Sequence, residues 1–368
     1  MADNLKVAIV CDWLTGYGGA ERVVYELHKL YPNAPIYTSQ YDPNKLDWFK
    51  DADVRTTWLQ KLPKSLKKFL PIFRAIAFSR LDLSDYNIVI SSSGAEAKGV
   101  KTGPKTTHIC YCHSPTHYYW IRYDEYLKNP GFPRGFNWLA KISLRLFVGP
   151  LRTWDHRAAQ RPTHIIANST HTKNMIKKFY GRESTVIFPP VETDRFKLPA
   201  NPEPRHGFVV AGRQTPYKRI DLAIEACSQL NVPLVVIGNG PDHKKLKKLA
   251  GRNTTFLTNV NDHNMAKHFQ SALGFIMPNM DDFGIVAVEA LASGTPVIAY
   301  KAGGSLDYLT PPTNGIYFEE QTTESLAKAL EQVANKSFNY QSVAKSAERF
   351  SVASFAKNIR EFISKRTT

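Results

Sequence analysis

The chain has 368 residues and a formal net charge of +16, with 43% hydrophobic and 22% charged residues. This length predicts two domains, and this composition excludes a disordered chain. No apolar run reaches the roughly 18 residues of a membrane-spanning helix, and the excess of positive charge favours anionic partners such as nucleic acid, anionic lipid or a phosphorylated substrate.

Strand-like apolar runs alternate with segments of helical periodicity, which predicts an α/β fold with parallel sheets. In the first half, a helix from Ala20 follows the first strand after a glycine-rich turn. The predicted strands of this half begin at Leu5, Pro35, Asn87, Thr107, Thr163 and Val186. The aromatic stretch 118–150 is predicted to be irregular, and the stretch 151–160 to be helical.

A proline-rich linker at 191–206 separates this half from a second series of strands and helices. The strands of the second series begin at Gly207, Pro233, Thr254, Leu273, Thr295 and Asn314. We therefore predict two doubly wound domains, at 1–190 and 207–350, and a helix in 351–368 that returns to the first domain. Because ligands of such sheets bind beyond the carboxyl ends of the strands, we expect the site in a cleft between the domains.

The first glycine-rich turn ends at Gly18 and Gly19. Glycines let the backbone approach a phosphate closely, and the start of the following helix offers free amides. A plain tight connection between strand and helix is the alternative.

A histidine-containing motif follows the strand that begins at Thr107. His108, Cys110 and Cys112 would share one face of this strand, which makes a metal site conceivable. A buried strand explains the small cysteines better, because no distant cysteine pair completes a tetrahedral set. His113 lies at the carboxyl end of the strand, where a ligand is expected.

Two charged motifs follow strands of the second half. Arg213 and Lys218 flank a turn at a helix start, an arrangement suited to gripping a diphosphate, with a generic basic loop as the alternative. Further along, Asp281 precedes a helix predicted at 285–292, and Glu289 lies one turn into that helix. Both carboxylates can accept hydrogen bonds from the diols of a hexose or a ribose.

The start of this second helix is predicted to bind an anion or a sugar hydroxyl through free amides. The residues expected to supply these amides are Phe283, Gly284 and Ile285. Asp282 is expected to cap the helix, since aspartate is a favoured N-cap residue.

The segment 61–80 carries six basic residues and no acid, interleaved with Leu, Ile and Phe. Such a mixture suits an anionic lipid surface, and a loop and helix packed on the first domain are the alternative. The residues expected to meet the membrane are Lys64, Lys67, Lys68, Phe69 and Phe73. Because the N-terminus lacks the layout of a signal peptide and the four cysteines show no extracellular pattern, we expect a cytoplasmic protein, peripheral at the inner face of the cell membrane.

Taken together, the motifs resemble those of the retaining nucleotide-sugar glycosyltransferases of family 4, which have the GT-B fold. The resemblance runs in order over nearly the whole chain, from Gly18 through His113, Arg213 and Lys218 to Asp281 and Glu289. Longer matching stretches are GGAERV at Gly18, CYCHSP at Cys110 and FPPV at Phe188. These longer stretches are similar to a bacterial subgroup often assigned as mannosyltransferases of O-antigen or exopolysaccharide assembly.

The resemblance implies a role for each matched residue. Gly18 and Gly19 would present backbone amides to the diphosphate and the sugar of the donor. His113 would contact the donor sugar near its 6-hydroxyl. Arg213 and Lys218 would neutralise the diphosphate leaving group.

The resemblance also assigns the last motif and the pocket for the base. Asp281 would bind the 3- and 4-hydroxyls of the sugar, helped by the amides around Phe283 and Gly284, while Glu289 would hold the ribose. The base would lie near Asn259 and Val260.

Two positions depart from the family pattern. Asp281 stands where the family has a glutamate, so the side chain that would grip the sugar is one methylene shorter. Gly94 stands where a bulkier residue, often histidine, is expected to contact the acceptor.

The sequence therefore predicts a hexosyltransferase that moves mannose from GDP-mannose to a lipid-linked or polysaccharide acceptor. We expect no cofactor and no metal, because protein cations and a helix start can stabilise the leaving diphosphate. The enzymatic alternatives are a transferase that uses a UDP-sugar and an epimerase or phosphorylase of the same fold. The non-enzymatic alternative is a basic nucleic-acid-binding protein, although the motifs predicted at the ligand edge give no reason for a basic stripe with stacking aromatics.

Overall fold

The computed structural model describes residues 5–62, 71–128, 137–200 and 203–366. Contacts divide the chain into two compact units, Met1–Phe188 together with Ala356–Thr368, and Pro189–Phe355. Each unit contains one parallel sheet with helices in its connections. The predicted α/β class with two Rossmann-like doubly wound sheets is therefore confirmed.

The described part of the first unit contains a sheet with the strand order β3-β2-β1-β4-β5-β6-β7. Its strands are β1 (Val7–Cys11), β2 (Ile36–Thr38), β3 (Val54–Thr56), β4 (Ile88–Ser93), β5 (Thr107–Cys112), β6 (His164–Ala167) and β7 (Thr185–Val186). All neighbouring strands pair in parallel. Since both faces of such a sheet are covered, β4 is buried along its whole length.

The helices of the first unit lie in the connections between these strands. They are α1 (Gly19–Leu30), α2 (Pro71–Arg80), α3 (Tyr123–Lys128), α4 (Asn137–Ala158) and α5 (Thr170–Tyr180). In α1 the apolar residues Val23, Val24 and Leu27 are buried, as the helical period of the sequence predicted.

The second unit contains a sheet with the strand order β10-β9-β8-β11-β12-β13, again parallel throughout. Its strands are β8 (Phe208–Ala211), β9 (Leu234–Ile237), β10 (Thr254–Leu257), β11 (Gly274–Met277), β12 (Val297–Tyr300) and β13 (Gly315–Phe318). Its helices are α6 (Ile220–Gln229), α7 (His243–Leu249), α8 (Asp262–Ser271), α9 (Ile285–Ala292), α10 (Ser305–Tyr308), α11 (Thr323–Ala334) and α12 (Tyr340–Lys345).

The last helix, α13 (Val352–Ser364), begins in the second unit and ends in the first. Its apolar residues Ile359, Phe362 and Ile363 are buried. The ring of Phe362 contacts the ring of His164 edge-on, with 6.1 Å between the ring centres. Both of these residues belong to the first unit.

The stretch 118–150 is more regular than predicted, because α3 and most of α4 lie within it. Pro150 lies inside α4, and it helped to hide the helical period in the sequence. Trp138, Ile142 and Leu146 recur every four residues of α4, yet all three are exposed, Leu146 to 67%. This helix therefore carries an apolar stripe where most surface helices are polar. In the described part of the chain, no helix has the length and apolar character needed to span a bilayer.

A buried ion pair joins α4 to the connection that follows β4. Lys98 Nζ lies 2.6 Å from Asp155 Oδ1, and both side chains are buried. Burial alone would lower the pKa of Lys98, but the charge of Asp155 and the hydrogen bond to it raise that pKa above its ordinary value. Asp155 also accepts hydrogen bonds from Thr116, Trp120 and Tyr180, so its charge is fully compensated.

We predict that Asp155→Ala lowers the free energy of unfolding by about 3–5 kcal/mol, because Lys98 would stay buried without a counter-charge. Chemical denaturation followed by circular dichroism measures this loss. The control is Asp53→Ala, which breaks the exposed ion pair with Arg55 and should cost less than about 1 kcal/mol. Equal losses in the two variants would contradict the prediction.

Candidate active site

Asp12 organises the backbone at the carboxyl edge of the first sheet. It follows β1, and its carboxylate accepts hydrogen bonds from the amides of Gly94 (2.8 Å), Ala95 (3.0 Å) and Ala97 (2.7 Å). These residues form the connection after β4, so the aspartate holds that connection against the end of β1. Burial, and then the charge of Glu96, raise the pKa of Asp12.

His113 lies immediately after β5, at the same edge of the sheet. Its Nε2 lies 2.7 Å from the hydroxyl of Ser92 on β4, and its backbone carbonyl accepts a hydrogen bond from Thr172. A side chain on Gly94 would touch the histidine, since a Cβ there would lie 3.6 Å from that of His113. The small residue at 94 thus leaves space beside the histidine.

The strand before His113 is buried, as the core-strand interpretation predicted. Cys110 and Cys112 are buried and form no disulfide with any described cysteine. The Nε2 of His108 lies 2.9 Å from the Ser91 hydroxyl. Burial lowers the pKa of His108 to about 3, so its ring is neutral at physiological pH.

Gly18 and Gly19 lie at the start of α1, where Gly18 is the N-cap and offers no side chain to the helix amides. The side chain of Glu21 folds back over this turn, because a Cβ at position 18 would lie 2.5 Å from Glu21 Oε2. Burial raises the pKa of Glu21 to about 7, and the neighbouring charge of Asp12 adds to this effect. Sequence reasoning did not single out this carboxyl group, although it lies within the GGAE run.

In the second unit, Lys218 and Asp281 form an ion pair. Lys218 Nζ lies 2.5 Å from Asp281 Oδ2, and the two side chains are 19% and 20% exposed. Lys218 ends a short 3-10 helix after β8, and Asp281 follows β11, the strand that pairs with β8. The fold thus brings together two residues that were predicted to contact different parts of one ligand.

The other predicted residues of this unit lie on neighbouring connections. Arg213 is exposed on the same connection as Lys218. Asn259 is exposed between β10 and α8 with a left-handed backbone (φ 57°), and Val260 beside it is partly buried. Their predicted contact with a base stays a prediction.

The start of α9 is shaped by Phe283 and Gly284. The ring of Phe283 is buried against Tyr308 and Phe350, with ring centres 5.8 Å and 5.5 Å away. The ring is therefore part of the core, and the predicted contact of the backbone amide with a ligand stays a prediction. Gly284 is the N-cap, with φ 93°, and Ile285 is the first residue of the helix.

The prediction that Asp282 caps α9 is wrong. The N-cap position falls on Gly284, and no side chain forms a cap hydrogen bond there. Asp282 lies two residues too early to do so, because a capping side chain belongs to the N-cap residue itself. The N-cap residue of α9 therefore has no side chain with which to cap the helix.

Glu289 lies on α9 and is buried, with 4% of its surface exposed. Its backbone carbonyl accepts hydrogen bonds from the amide and hydroxyl of Ser293. The helix is buried from Ala287 to Ala292. A glutamate is unusual in such an apolar setting.

A glycine pair that sequence reasoning missed supports the loop of Asp281. The amide of Gly304 donates to the carbonyl of Asp281 (2.9 Å). A Cβ on Gly303 would lie 2.4 Å from that carbonyl oxygen, and one on Gly304 would lie 2.3 Å from Phe283 Cα. The pair after β12 is therefore needed for close backbone packing, and adjacent glycines after a predicted strand are the signal that could have found it.

The predicted membrane residues Lys64, Lys67, Lys68 and Phe69 lie outside the described residues. Phe73 lies on α2 and is exposed. Other residues of α2, including Ala75, Ala77 and Phe78, are buried. Helix α2 thus combines a packed face with an exposed apolar residue.

Comparisons with known proteins identify both halves of the chain. Residues 17–195 match the family model described as Glycosyltransferase Family 4, and residues 191–356 match that described as Glycosyl transferases group 1. Together the two models cover almost the whole chain.

Several relatives are named as mannosyltransferases. The mouse (Mus musculus) alpha-1,3/1,6-mannosyltransferase ALG2 is 24% identical, over 95% of this chain and 94% of its own length. A GDP-mannose-dependent alpha-(1-6)-phosphatidylinositol monomannoside mannosyltransferase of Mycobacterium tuberculosis is 26% identical, over 45% of this chain and 51% of its own. With several other curated relatives, the chain aligns over only about a third to a half of their lengths.

Among solved structures, the Anabaena protein HepE in complex with UDP and glucose is similar in fold. The TM-score is 0.68 at 18% identity, covering 98% of this chain and 100% of that one. This likeness supports the same two-sheet architecture.

We predict that Glu21→Gln stabilises the protein at alkaline pH. A carboxyl group whose pKa rises on folding from 4.5 to about 7 adds stability that is full below the unfolded pKa and is lost as pH rises through the folded one. Glutamine is neutral throughout, so the variant should match the wild type near pH 4.5 and unfold at a higher temperature near pH 8.

Thermal unfolding at both pH values measures this difference. The control is Glu183→Gln, because the hydrogen bond from Lys177 lowers the pKa of the exposed Glu183. That variant should gain nothing at pH 8. A loss of stability in Glu21→Gln at pH 8 would contradict the prediction.

Proposed function

The chain belongs to the family 4 glycosyltransferases, which have the GT-B fold, and we propose that it transfers mannose from GDP-mannose, with retention, to a lipid-linked or polysaccharide acceptor. The mouse relative, aligned over almost the whole chain, supports mannose as the sugar. The mycobacterial relative, which is named as GDP-mannose-dependent, supports the donor.

The contact between Lys218 and Asp281 carries the proposal. A cation that can neutralise phosphate and a carboxylate that can accept sugar hydroxyls lie 2.5 Å apart, beside the start of α9. A nucleotide sugar presents both complementary groups, because its diphosphate is attached directly to the ring. One ligand can therefore satisfy both halves of the pair.

In the proposed reaction, the bond between the anomeric carbon and the diphosphate oxygen breaks. Negative charge then grows on that oxygen, where Lys218, Arg213 and the amides at the start of α9 stabilise it. The acceptor hydroxyl attacks the same face of the sugar, and its proton passes to the departing diphosphate. The bonds and protons of this transfer balance without a protein nucleophile or any further reactant.

The first unit contributes His113 and the turn at Gly18 in this proposal. The hydrogen bond to Ser92 fixes the orientation of the His113 ring, which suits a contact with a donor hydroxyl. Gly18, the N-cap of α1, has no side chain, which lets a ligand approach the backbone at this helix start closely. In the second unit, Glu289 is assigned to the ribose.

We also propose that the acceptor is carried by lipid and that the protein works at an anionic membrane surface, peripheral to its inner face. The net charge of +16 supports an anionic surface. The exposed apolar stripe of α4 and the exposed ring of Phe73 support contact with the interfacial region of a bilayer.

We predict that Lys218→Ala reduces turnover of the donor by about 10²–10³-fold, because one charged group that stabilises the leaving oxygen is lost. Steady-state release of GDP in the presence of acceptor measures the loss. The control is Lys301→Ala, which removes the exposed ion pair with Glu319 and should leave turnover unchanged. Near-normal turnover of Lys218→Ala would remove this lysine from the site.

A calorimetric panel of nucleoside diphosphate sugars tests the donor. We expect GDP-mannose to bind at least about tenfold more tightly than UDP-glucose, a difference of about 1.4 kcal/mol. Glu289→Gln should weaken the binding of GDP and UDP alike, because the ribose is common to both. Tighter binding of a UDP-sugar would refute GDP-mannose, and nucleotide release that is independent of acceptor would refute glycosyl transfer.

A further inference from the structure

The hydroxyl group of Tyr308 is buried in the second unit without a hydrogen-bond partner. Tyr308 is the last residue of α10 and is 1% exposed. Among the residues that the structure describes, no group forms a hydrogen bond with its hydroxyl oxygen. A buried hydroxyl without a partner costs stability, and phenylalanine at this position would avoid that cost.

The packing of the ring does not account for the hydroxyl. The ring of Tyr308 contacts the ring of Phe283 edge-on, with 5.8 Å between the ring centres, and phenylalanine could make the same contact. The hydroxyl itself lies against Gly284, the N-cap of α9, because a Cβ there would be 3.1 Å from the hydroxyl oxygen. The other close neighbour of that Cβ position is the methyl group of Met277, which cannot accept a strong hydrogen bond.

The hydroxyl is also held in place, because α10 is fixed at both ends. The backbone carbonyl of Tyr308 accepts a hydrogen bond from Nδ2 of the buried Asn314 (2.8 Å). The hydroxyl of Tyr317 lies 3.1 Å from the carbonyl of Ser305 and 3.3 Å from that of Leu309. A partner for the Tyr308 hydroxyl must therefore be a group that moves towards it.

Asp281 is the side chain best suited to make this movement. Its loop lies against the start of α10, since its backbone carbonyl accepts from the amide of Gly304, the N-cap residue of that helix (2.9 Å). Its carboxylate is bound to Lys218 and is 20% exposed, so it has room to change rotamer. Burial, and then the charge of Asp281, raise the pKa of Tyr308 well above its ordinary value. The hydroxyl therefore keeps its proton and can donate it.

We propose that Tyr308 is the second hydrogen-bond donor of Asp281, and the part that this contact plays in the reaction rests on the proposed function. While Lys218 holds the carboxylate, the Tyr308 hydroxyl has no partner. When Lys218 turns to the diphosphate of the nucleotide sugar, the carboxylate turns as well. One of its oxygens then accepts from Tyr308, and the other accepts from the hydroxyls of the sugar. Tyr308 is thus a positioning residue that acts on the sugar through Asp281.

Thermal unfolding of the free protein tests this contact without any ligand. Tyr308→Phe removes a hydroxyl that has no partner, so its Tm should equal or exceed that of the wild type. Lys218→Ala releases the carboxylate of Asp281, and removal of the same hydroxyl should then break a hydrogen bond. We expect Lys218→Ala combined with Tyr308→Phe to melt about 2–4 °C below Lys218→Ala alone. Equal changes in Tm in the two backgrounds would overturn the proposal.

Two controls separate this contact from a general loss of packing. Asp281→Ala removes the acceptor, so Tyr308→Phe should not lower the Tm of the protein that carries both Lys218→Ala and Asp281→Ala. A loss of Tm that persists there would overturn the proposal. Tyr317→Phe removes a hydroxyl that is already bound to carbonyl groups, so it should lower the Tm of the wild type and of Lys218→Ala alike. If Tyr308→Phe behaves as Tyr317→Phe does, its role is structural and the proposal is overturned.

Calorimetry with GDP-mannose tests the consequence for the reaction. We expect Tyr308→Phe to weaken the binding of GDP-mannose about tenfold, because the carboxylate that Lys218 leaves would lose its second donor. If the Tm results show the contact but Tyr308→Phe binds GDP-mannose as tightly as the wild type, the contact is supported and the proposed move of Lys218 to the diphosphate is overturned. If the wild type does not bind GDP-mannose, the proposed nucleotide sugar is overturned, and the Tm results alone decide the contact.

Discussion

In both described sheets, every strand pairs in parallel with its neighbours. The positions of the candidate site residues in each unit depend on this pairing. When strands run in one direction, the connections that leave them emerge at a single edge. Asp12, Gly94 and His113 follow β1, β4 and β5, which are adjacent in the first sheet. In the second sheet, Lys218 and Asp281 follow the adjacent strands β8 and β11 by the same rule. Residues far apart in the chain thus meet without any local motif that joins them.

Holding irregular backbone at such an edge requires buried polar partners, because unpaired groups there lose their hydration. In the first unit, Asp12 accepts from three amides of the connection after β4, and the Lys98–Asp155 pair secures the same connection to α4. The second unit uses closely packed glycines at 303 and 304 for the same purpose. One unit stabilises its loop with buried charge, and the other does so with close backbone contact.

The periodic features of the fold could be predicted from the sequence, and the contacts that depend on tertiary structure could not. Helix α9 occupies the predicted range 285–292 because its apolar residues and the glycine before it form a clear local signal. The stretch that contains α4 was misread, since Trp138, Ile142 and Leu146 face solvent where a surface helix usually has polar residues. The contact between Lys218 and Asp281 spans 63 residues, and that between Ser92 and His113 spans 21. Both depend on strand order, which no local pattern reveals.

The contact between Lys218 and Asp281 also has a consequence for competition among anions. In the free protein, the carboxylate acts as an internal counter-ion for the lysine, so a phosphate that approaches Lys218 must displace it. An anion without hydroxyl groups gives the displaced carboxylate no hydrogen-bond donor in place of the lysine. The net binding of such an anion is therefore weaker. The proposed sugar diphosphate would supply hydroxyl donors and negative charge in one molecule, so it would meet less resistance than an anion without donors, such as chloride. In the proposed donor site, the ion pair would therefore select against simple anions.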